Sequence, residues 1–402
     1  MNNTDKSAID LPPPISEATQ HDVYPDLNHD ERARLNFLAA SNKLVAATIM
    51  PANELAYEQR VLPAFEAQHG RQPKTRHEVR QALETDPFYQ MWSALRRNSM
   101  EVRQQAGRAL VLRQINELAE KAKRLNEDSD NLILDDSVEV PSYVHAVDHH
   151  CMPGSYYTEL VDGDVSPAAN YDVGFFATTG GTHGRLGDAP GRVVAQWIKT
   201  LRPDFKPRRI LDIGVAAGLN LVPIAQAFPD CEVVAIDISA PMLRYAHARA
   251  KALGVTNIKF IQMSGEDLSA FDDERFDWVM TSVFLHELSA KSLPKILTES
   301  FRVLRKDGLN LHLEQPQYHD GMPLIEQALR DWDAYNNNEP FWSALHATNL
   351  DELLVKVGFK PDSIFHQTLH DDSDDELFPA SRPDKEEYGR STTWQFFGAW
   401  KT

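Results

Sequence analysis

Ile210-Leu211-Asp212-Ile213-Gly214-Val215-Ala216-Ala217-Gly218-Leu219-Asn220 decides how this chain of 402 residues folds. Its first residues read as a buried strand, the small residues after them as a tight turn, and Leu219 onward as the opening of a helix. Such a turn aims backbone amides and the positive helix end at the carboxyl edge of a sheet, where polar ligands bind. The spacing is Asp-x-Gly-x-Ala-x-Gly, whereas a dinucleotide site asks for Gly-x-Gly-x-x-Gly. The acid at Asp212 would repel a pyrophosphate and suits a ligand carrying a cation or an ammonium group.

Outward from this stretch, short β-rich runs alternate with helical patterns. They are Ile210 to Ile213, Glu232 to Ile236, Ile258 to Gln262, Asp277 to Thr281 and Leu309 to Leu313. Two more, near Ser363 to Gln367 and Thr393 to Ala399, follow a helix around Asp351 to Val357. Strands alternating with helices predict an α/β fold, a doubly wound, mainly parallel sheet of seven strands. Before residue 208 the pattern differs. Residues 1–28, with Pro12-Pro13-Pro14, read as a disordered or loosely docked leader. Residues 29–140 read as mostly helical: Pro51 breaks a first helix, a second ends near Gly70, and Thr75 and Glu78 have capping-box spacing. The long pattern after Pro87 runs through Met91, Leu95, Val102, Ala109, Leu112, Ile115 and Leu118. Residues 141–207, dense in Gly, Pro, His and aromatics, read as a linker lining a pocket, and 208–402 as the ligand-binding domain.

The quoted stretch resembles the first motif of class I S-adenosylmethionine-dependent methyltransferases, a Rossmann-like family. Ala216 stands where the family usually has a second glycine, a mild departure if the backbone angle there is ordinary. The later motifs follow in order. Val234-Ala235-Ile236-Asp237-Ile238-Ser239 puts an acid where ribose hydroxyls are held, and Met242 resembles the apolar contact to the adenine. Gly265-Glu266-Asp267 resembles the loop at the adenine amino group. Arg275 to Glu287 resembles the fourth strand and its functional loop. The resemblance covers residues 208–315 and implies S-adenosyl-L-methionine as cofactor, bound by Asp212, Gly214, Ala216, Gly218, Asp237, Met242, Glu266, Asp267 and Ser282. It implies methyl transfer to a small organic acceptor by in-line displacement, and the His286-Glu287 pair favours oxygen slightly over nitrogen or sulfur.

A hydroxyl must lose a proton on methylation, so a base near the methyl is expected. His286 is the first choice; Glu287 beside it and Glu314 after the fifth strand complete the catalytic set. A packing or helix-cap histidine is the alternative for His286. For the acceptor, Tyr335, Asn336 and Trp342 in Asp331-Trp332-Asp333-Ala334-Tyr335-Asn336-Asn337-Asn338-Glu339-Pro340-Phe341-Trp342 are expected to join Tyr171 and His183, aromatics and amides suiting a small polar molecule. A solvated turn is the other reading of that segment. His145, Asp148, His149, His150 and Cys151 lack clear metal-ligand spacing, and no metal is expected. The run Asp371, Asp372, Asp374, Asp375 and Glu376 reads as a solvated loop.

Composition narrows the partners. Lys plus Arg number 41 against 59 Asp plus Glu, a net charge of -18, which opposes phosphate backbones; no nucleic-acid partner is expected. No signal-peptide pattern and no membrane-length apolar run occurs, and only Cys151 and Cys231 are present, so a cytoplasmic protein with no membrane partner is expected. The helices of 29–140 then serve as a lid, an acceptor selector or a homodimer surface, and specialised metabolism is the expected setting. Two other classes stay open: a protein that binds the cofactor without transfer, in a regulatory or scaffolding role, and an NAD(P)-dependent oxidoreductase.

Overall fold

The computed structural model describes residues 11–127, 129–314, 317–370 and 393–402. The run from Asp371 to Glu376 and residues 1–10 lie outside the described residues. The strands are β1 (Leu132–Ile133), β2 (Arg209–Ile213), β3 (Glu232–Asp237), β4 (Ile258–Gln262), β5 (Phe276–Ser282), β6 (Leu304–Leu313), β7 (Ile364–His370) and β8 (Thr393–Trp400). They form one sheet in the order β1-β4-β3-β2-β5-β6-β8-β7. Pairing is parallel from β1 to β6 and antiparallel for β8 against β6 and β7. Among the described residues the sheet has eight strands, not seven. The eighth is β1, where Leu132 and Ile133 pair with Phe260 and Ile261 at the edge.

From β2 the chain winds outward through β3 and β4, then returns to place β5 on the other side of β2. The carboxyl ends of β2 and β5 flank this reversal, the place where open α/β sheets bind ligands. Side chains alternate across it. Ile210, Trp278 and Met280 join the helices Ala189–Leu201 and Leu221–Ala227 on one face, while Leu211, Ile213 and Val279 join Ser292–Val303 and Leu350–Val357 on the other.

A third core fuses the helical region to the sheet. Ile15, Val23, Tyr24 and Leu27 pack with Leu35, Leu110, Val173, Met242 and Tyr245. Residues 11–28 are docked, the second of the two readings of this leader: their few apolar side chains reach one groove, and Arg113 donates to the Asp26 carbonyl at 2.7 Å. The helix Ala240–Ala252 is buried on nearly every side for the same reason. Leu243 and Ala246 face the sheet; Met242, Tyr245 and Ala248 face the helical region.

The long helix Pro87–Arg113 is capped by Asp86, whose side chain accepts from the amides of Phe88 and Tyr89. Its inward face departs from the run read in the sequence. Met91, Leu95 and Leu112 are exposed, whereas Tyr89, Trp92, Met100, Leu110 and Val111 are buried, because partners contact this helix from several directions. At Thr75 half of the capping box forms: the hydroxyl accepts from the Glu78 amide, while the Glu78 carboxylate turns to the Lys74 amide and Arg71. Among the described residues no helix is long and apolar enough to cross a membrane.

Candidate functional site

The turn after β2 is built around conformations that only some residues take without strain. Gly214 has φ 78°, and a Cβ there would meet the Phe284 ring at 2.4 Å. Ala216 has φ 48°, in the left-handed region, so its backbone is not the ordinary one that made its methyl group seem mild. Such a conformation costs an L-residue about 1–2 kcal/mol. Asp237 holds it in place. One carboxylate oxygen accepts the Ala216 amide at 2.9 Å and the other the Ser239 amide at 2.9 Å, tying the β2 and β3 turns together.

Beside them Asp212 is 2% exposed, and its Oδ1 has no hydrogen-bond partner among the described residues. Burial, then the nearby charge of Asp237, pushes its carboxyl up to about 8. Asp237 is pushed up to about 6 by burial and by Glu287, against the two amides that pull it down. Two neighbouring acids, one of them buried with an orphaned oxygen, are poorly solvated alone and suited to a bound cation or donor.

A stability prediction follows from Asp212. Its folded pKa lies above the unfolded value, so the unfolded chain gives up this proton first. Stability falls as pH rises from about 4 to about 8, then levels off. Asp212→Asn removes that penalty while keeping the shape. Its melting temperature, measured without ligand, should exceed the parent's by roughly 2–5 °C at about pH 8, with the gap narrowing toward acid. An equal difference at every pH would show that the carboxyl does not titrate in this way.

Both acids open onto a cavity of about 290 Å³. The resemblance-implied residues Asp212, Gly214, Ala216, Asp237, Met242, Glu266 and Ser282 line it. Gly218 and Asp267 do not. Gly218 shapes the turn at φ 75°, and the exposed Asp267 carboxylate accepts the Ser269 amide.

The cavity's other end lies beyond β5. His286 and Glu287 stand in a short turn, Leu285–Glu287. The buried His286 ring meets Glu314 at 2.9 Å through Nδ1, and Glu314 also accepts the amides of Phe284 and Leu285 at 2.9 and 2.7 Å. Glu314 thus clamps the turn from behind. Burial alone would lower the His286 pKa; Glu314, with Glu339 and Glu287, raises it to about 10. Glu287 faces the cavity and accepts from the Tyr156 hydroxyl at 2.9 Å.

Of the expected acceptor residues, Tyr171, His183 and Trp342 line the cavity, and Tyr335 and Asn336 do not. Their segment docks against the helical region instead of lying free. Trp332 is fully buried, with its indole N–H donating to Ser93 at 2.8 Å; Arg96 pairs with Asp333 and Arg76 with Asp331. That turns Tyr335 out under the Arg80 guanidinium. Asp333 and Asn337, one helical turn apart, face inward. Sequence reasoning passed over these two, and also Arg96 and Met100, by which the long helix reaches the cavity. A helical reading of 332–337 alone would have separated Asp333 and Asn337 from Tyr335.

Comparison with known proteins bears on this site. Residues 210–308 match the family model described as a methyltransferase domain. The chain is similar to the demethylmenaquinone methyltransferase of Symbiobacterium thermophilum, 32% identical over 136 residues, covering 32% of this chain and 53% of that protein. It is also similar to a ribosomal RNA small subunit methyltransferase G of a Geobacter species, 26% identical over 102 residues, covering 25% and 44%. The chain thus spans about half the length, or less, of these curated relatives. Among solved structures, a SAM dependent methyltransferase from Aquifex aeolicus is similar at 18% identity and TM-score 0.34, over 53% of this chain and 92% of that one.

Proposed function

We propose, from the methyltransferase domain that residues 210–308 carry, that this protein transfers the methyl group of S-adenosylmethionine to a small organic acceptor. The observation that supports it most is the pair of acids lining the cavity at the sheet's reversal point, with the orphaned Oδ1 of the buried Asp212. These residues fit the cofactor. In this reading Asp237 takes the ribose hydroxyls, Met242 the adenine face and Asp212 the amino-acid ammonium group. When bound, the cofactor supplies a methyl on a sulfonium centre, open to in-line attack.

The chain's own part is to hold, align and deprotonate the acceptor, and much of the rate of such a displacement comes from alignment. Tyr156, Tyr171 and Trp342 give the acceptor end apolar walls, and Asn337 and Glu287 give it polar partners. Glu287 takes the acceptor's proton in this reading. The buried His286–Glu314 pair is occupied in fixing the turn, which moves the base from His286 to its neighbour. A carboxylate in that place favours an oxygen acceptor, and the walled cavity favours a small molecule over a ribosomal RNA.

Calorimetric titration of the full chain with S-adenosylmethionine, S-adenosylhomocysteine and NADH tests the proposal. Micromolar binding of the two adenosyl compounds with none of NADH is the expected result. NADH binding alone would replace the proposal with an oxidoreductase. Adenosyl binding with no turnover over a panel of small hydroxyl, amine and thiol acceptors would favour a protein that binds without transferring.

A further inference from the structure

His150, Glu287 and Glu339 come from three separate segments: the turn His149–Cys151, the turn after β5, and the stretch after the helix Trp332–Asn336. Their ligand-type atoms all lie within 4.8 Å of one another. His150 Nδ1 is 2.8 Å from a Glu339 oxygen, and its Nε2 is 3.8 Å from a Glu287 oxygen. Carboxylate and imidazole ligands at about 2.0–2.4 Å from an ion lie up to about 4.8 Å apart across it. Glu339 is 0% exposed; one of its oxygens meets the His150 ring, and the other has no hydrogen-bond partner among the described residues. A carboxylate so placed is expensive to keep without a cation.

The surroundings orient one of the three groups. The Tyr156 hydroxyl donates to the Glu287 carboxylate. Outer contacts of this kind fix ligand orientation at metal centres. His150 and Glu287 line the cavity while Glu339 lies behind them, so an ion held by all three would keep open positions toward the acceptor.

We propose that His150, Glu287 and Glu339 bind one divalent cation of the Mn²⁺ to Zn²⁺ series, which grips the acceptor through oxygen. Two carboxylates and one imidazole suit that series, being too few oxygens for a calcium cage. The cation polarises the acceptor hydroxyl, whose proton passes to the Glu287 oxygen left off the metal and then to water. The resulting oxyanion forms the new C–O bond as the methyl–sulfur bond breaks and sulfur keeps the electron pair. This names the acceptor class, a small molecule whose hydroxyl meets the cation, and that part rests on the methyl-transfer reading above.

The test is titration of the chelator-stripped full chain with MnCl₂, followed by electron paramagnetic resonance of free Mn²⁺ and by calorimetry. One Mn²⁺ per chain is expected. Glu339→Gln and His150→Gln should each weaken binding about tenfold or more. If Glu339→Gln fails to fold by circular dichroism, the partly exposed His150→Gln carries the comparison. Absence of stoichiometric binding of both Mn²⁺ and Zn²⁺, or unchanged affinity in the folded variants, would overturn the site. S-adenosylhomocysteine is titrated in parallel. Its binding without Mn²⁺ binding sinks the cation site alone, and Mn²⁺ binding without it keeps the site and sinks the methyltransferase reading.

Discussion

Asp237→Ala is expected to weaken S-adenosylhomocysteine binding by about 10- to 100-fold, since a hydrogen bond to a charged group contributes about 1.5–3 kcal/mol. Two losses combine in this variant. The ribose hydroxyls lose their acceptor, and the Ala216 and Ser239 amides lose the carboxylate that binds both turns. Freed from that tie, Ala216 has no reason to stay at φ 48° and will relax toward an ordinary conformation, closing the loop on the ligand's place. Calorimetry on both proteins reads the change, and Asp237→Asn separates the two parts, because the amide oxygen can accept only one of the two bonds. An affinity for Asp237→Ala within about threefold of the parent's, well under one hydrogen bond's worth, would remove Asp237 from the cofactor site.

The other large effect is on turnover. Glu287→Gln is expected to lower methyl transfer by about 10²- to 10⁴-fold, the usual contribution of a positioned base, with S-adenosylhomocysteine affinity changed little. Glu287 stands at the middle of the cavity's charge. Its field raises Asp237 and opposes ionisation of Tyr156 and Tyr171. Formation of S-adenosylhomocysteine over the acceptor panel, at saturating cofactor, is the measurement. Glutamine keeps the size and the contact with Tyr156 but cannot take a proton. Turnover preserved in Glu287→Gln and lost in His286→Asn would return the base to the histidine.

Much of the sheet was legible because parallel strands buried on both faces show as unbroken apolar runs. The runs from Ile210, Glu232, Ile258, Asp277 and Leu309 fall within strands that pair in the structure. Leu132 and Ile133 show as a short apolar run, but their place at the sheet's edge depends on pairing with Phe260 and Ile261, far along the chain. The buried face of Pro87–Arg113 was not legible because Trp92 packs against Trp332 while Met100 reaches the cavity, so no single stripe describes the helix. At the site, local motifs gave Asp212 and Asp237, whose places depend on their own strands. Three things depended on long-range docking and left no local mark: the turning out of Tyr335, the turning in of Asp333 and Asn337, and the meeting of His150 with Glu339. The strain at Ala216 was hidden too, because it is set by an oxygen on the next strand.

The helix Ala240–Ala252 has a consequence for how the molecule comes apart. Its Leu243 side belongs to the sheet's core and its Tyr245 side to the core of the N-terminal helices, so neither core survives removal of the other's share of that helix. The two regions therefore melt in one cooperative transition, and a fragment beginning near residue 208 would leave Met242 and Tyr245 facing water. Amide protons of β3 and of the helix Ser166–Thr179 would then exchange at a common, globally limited rate.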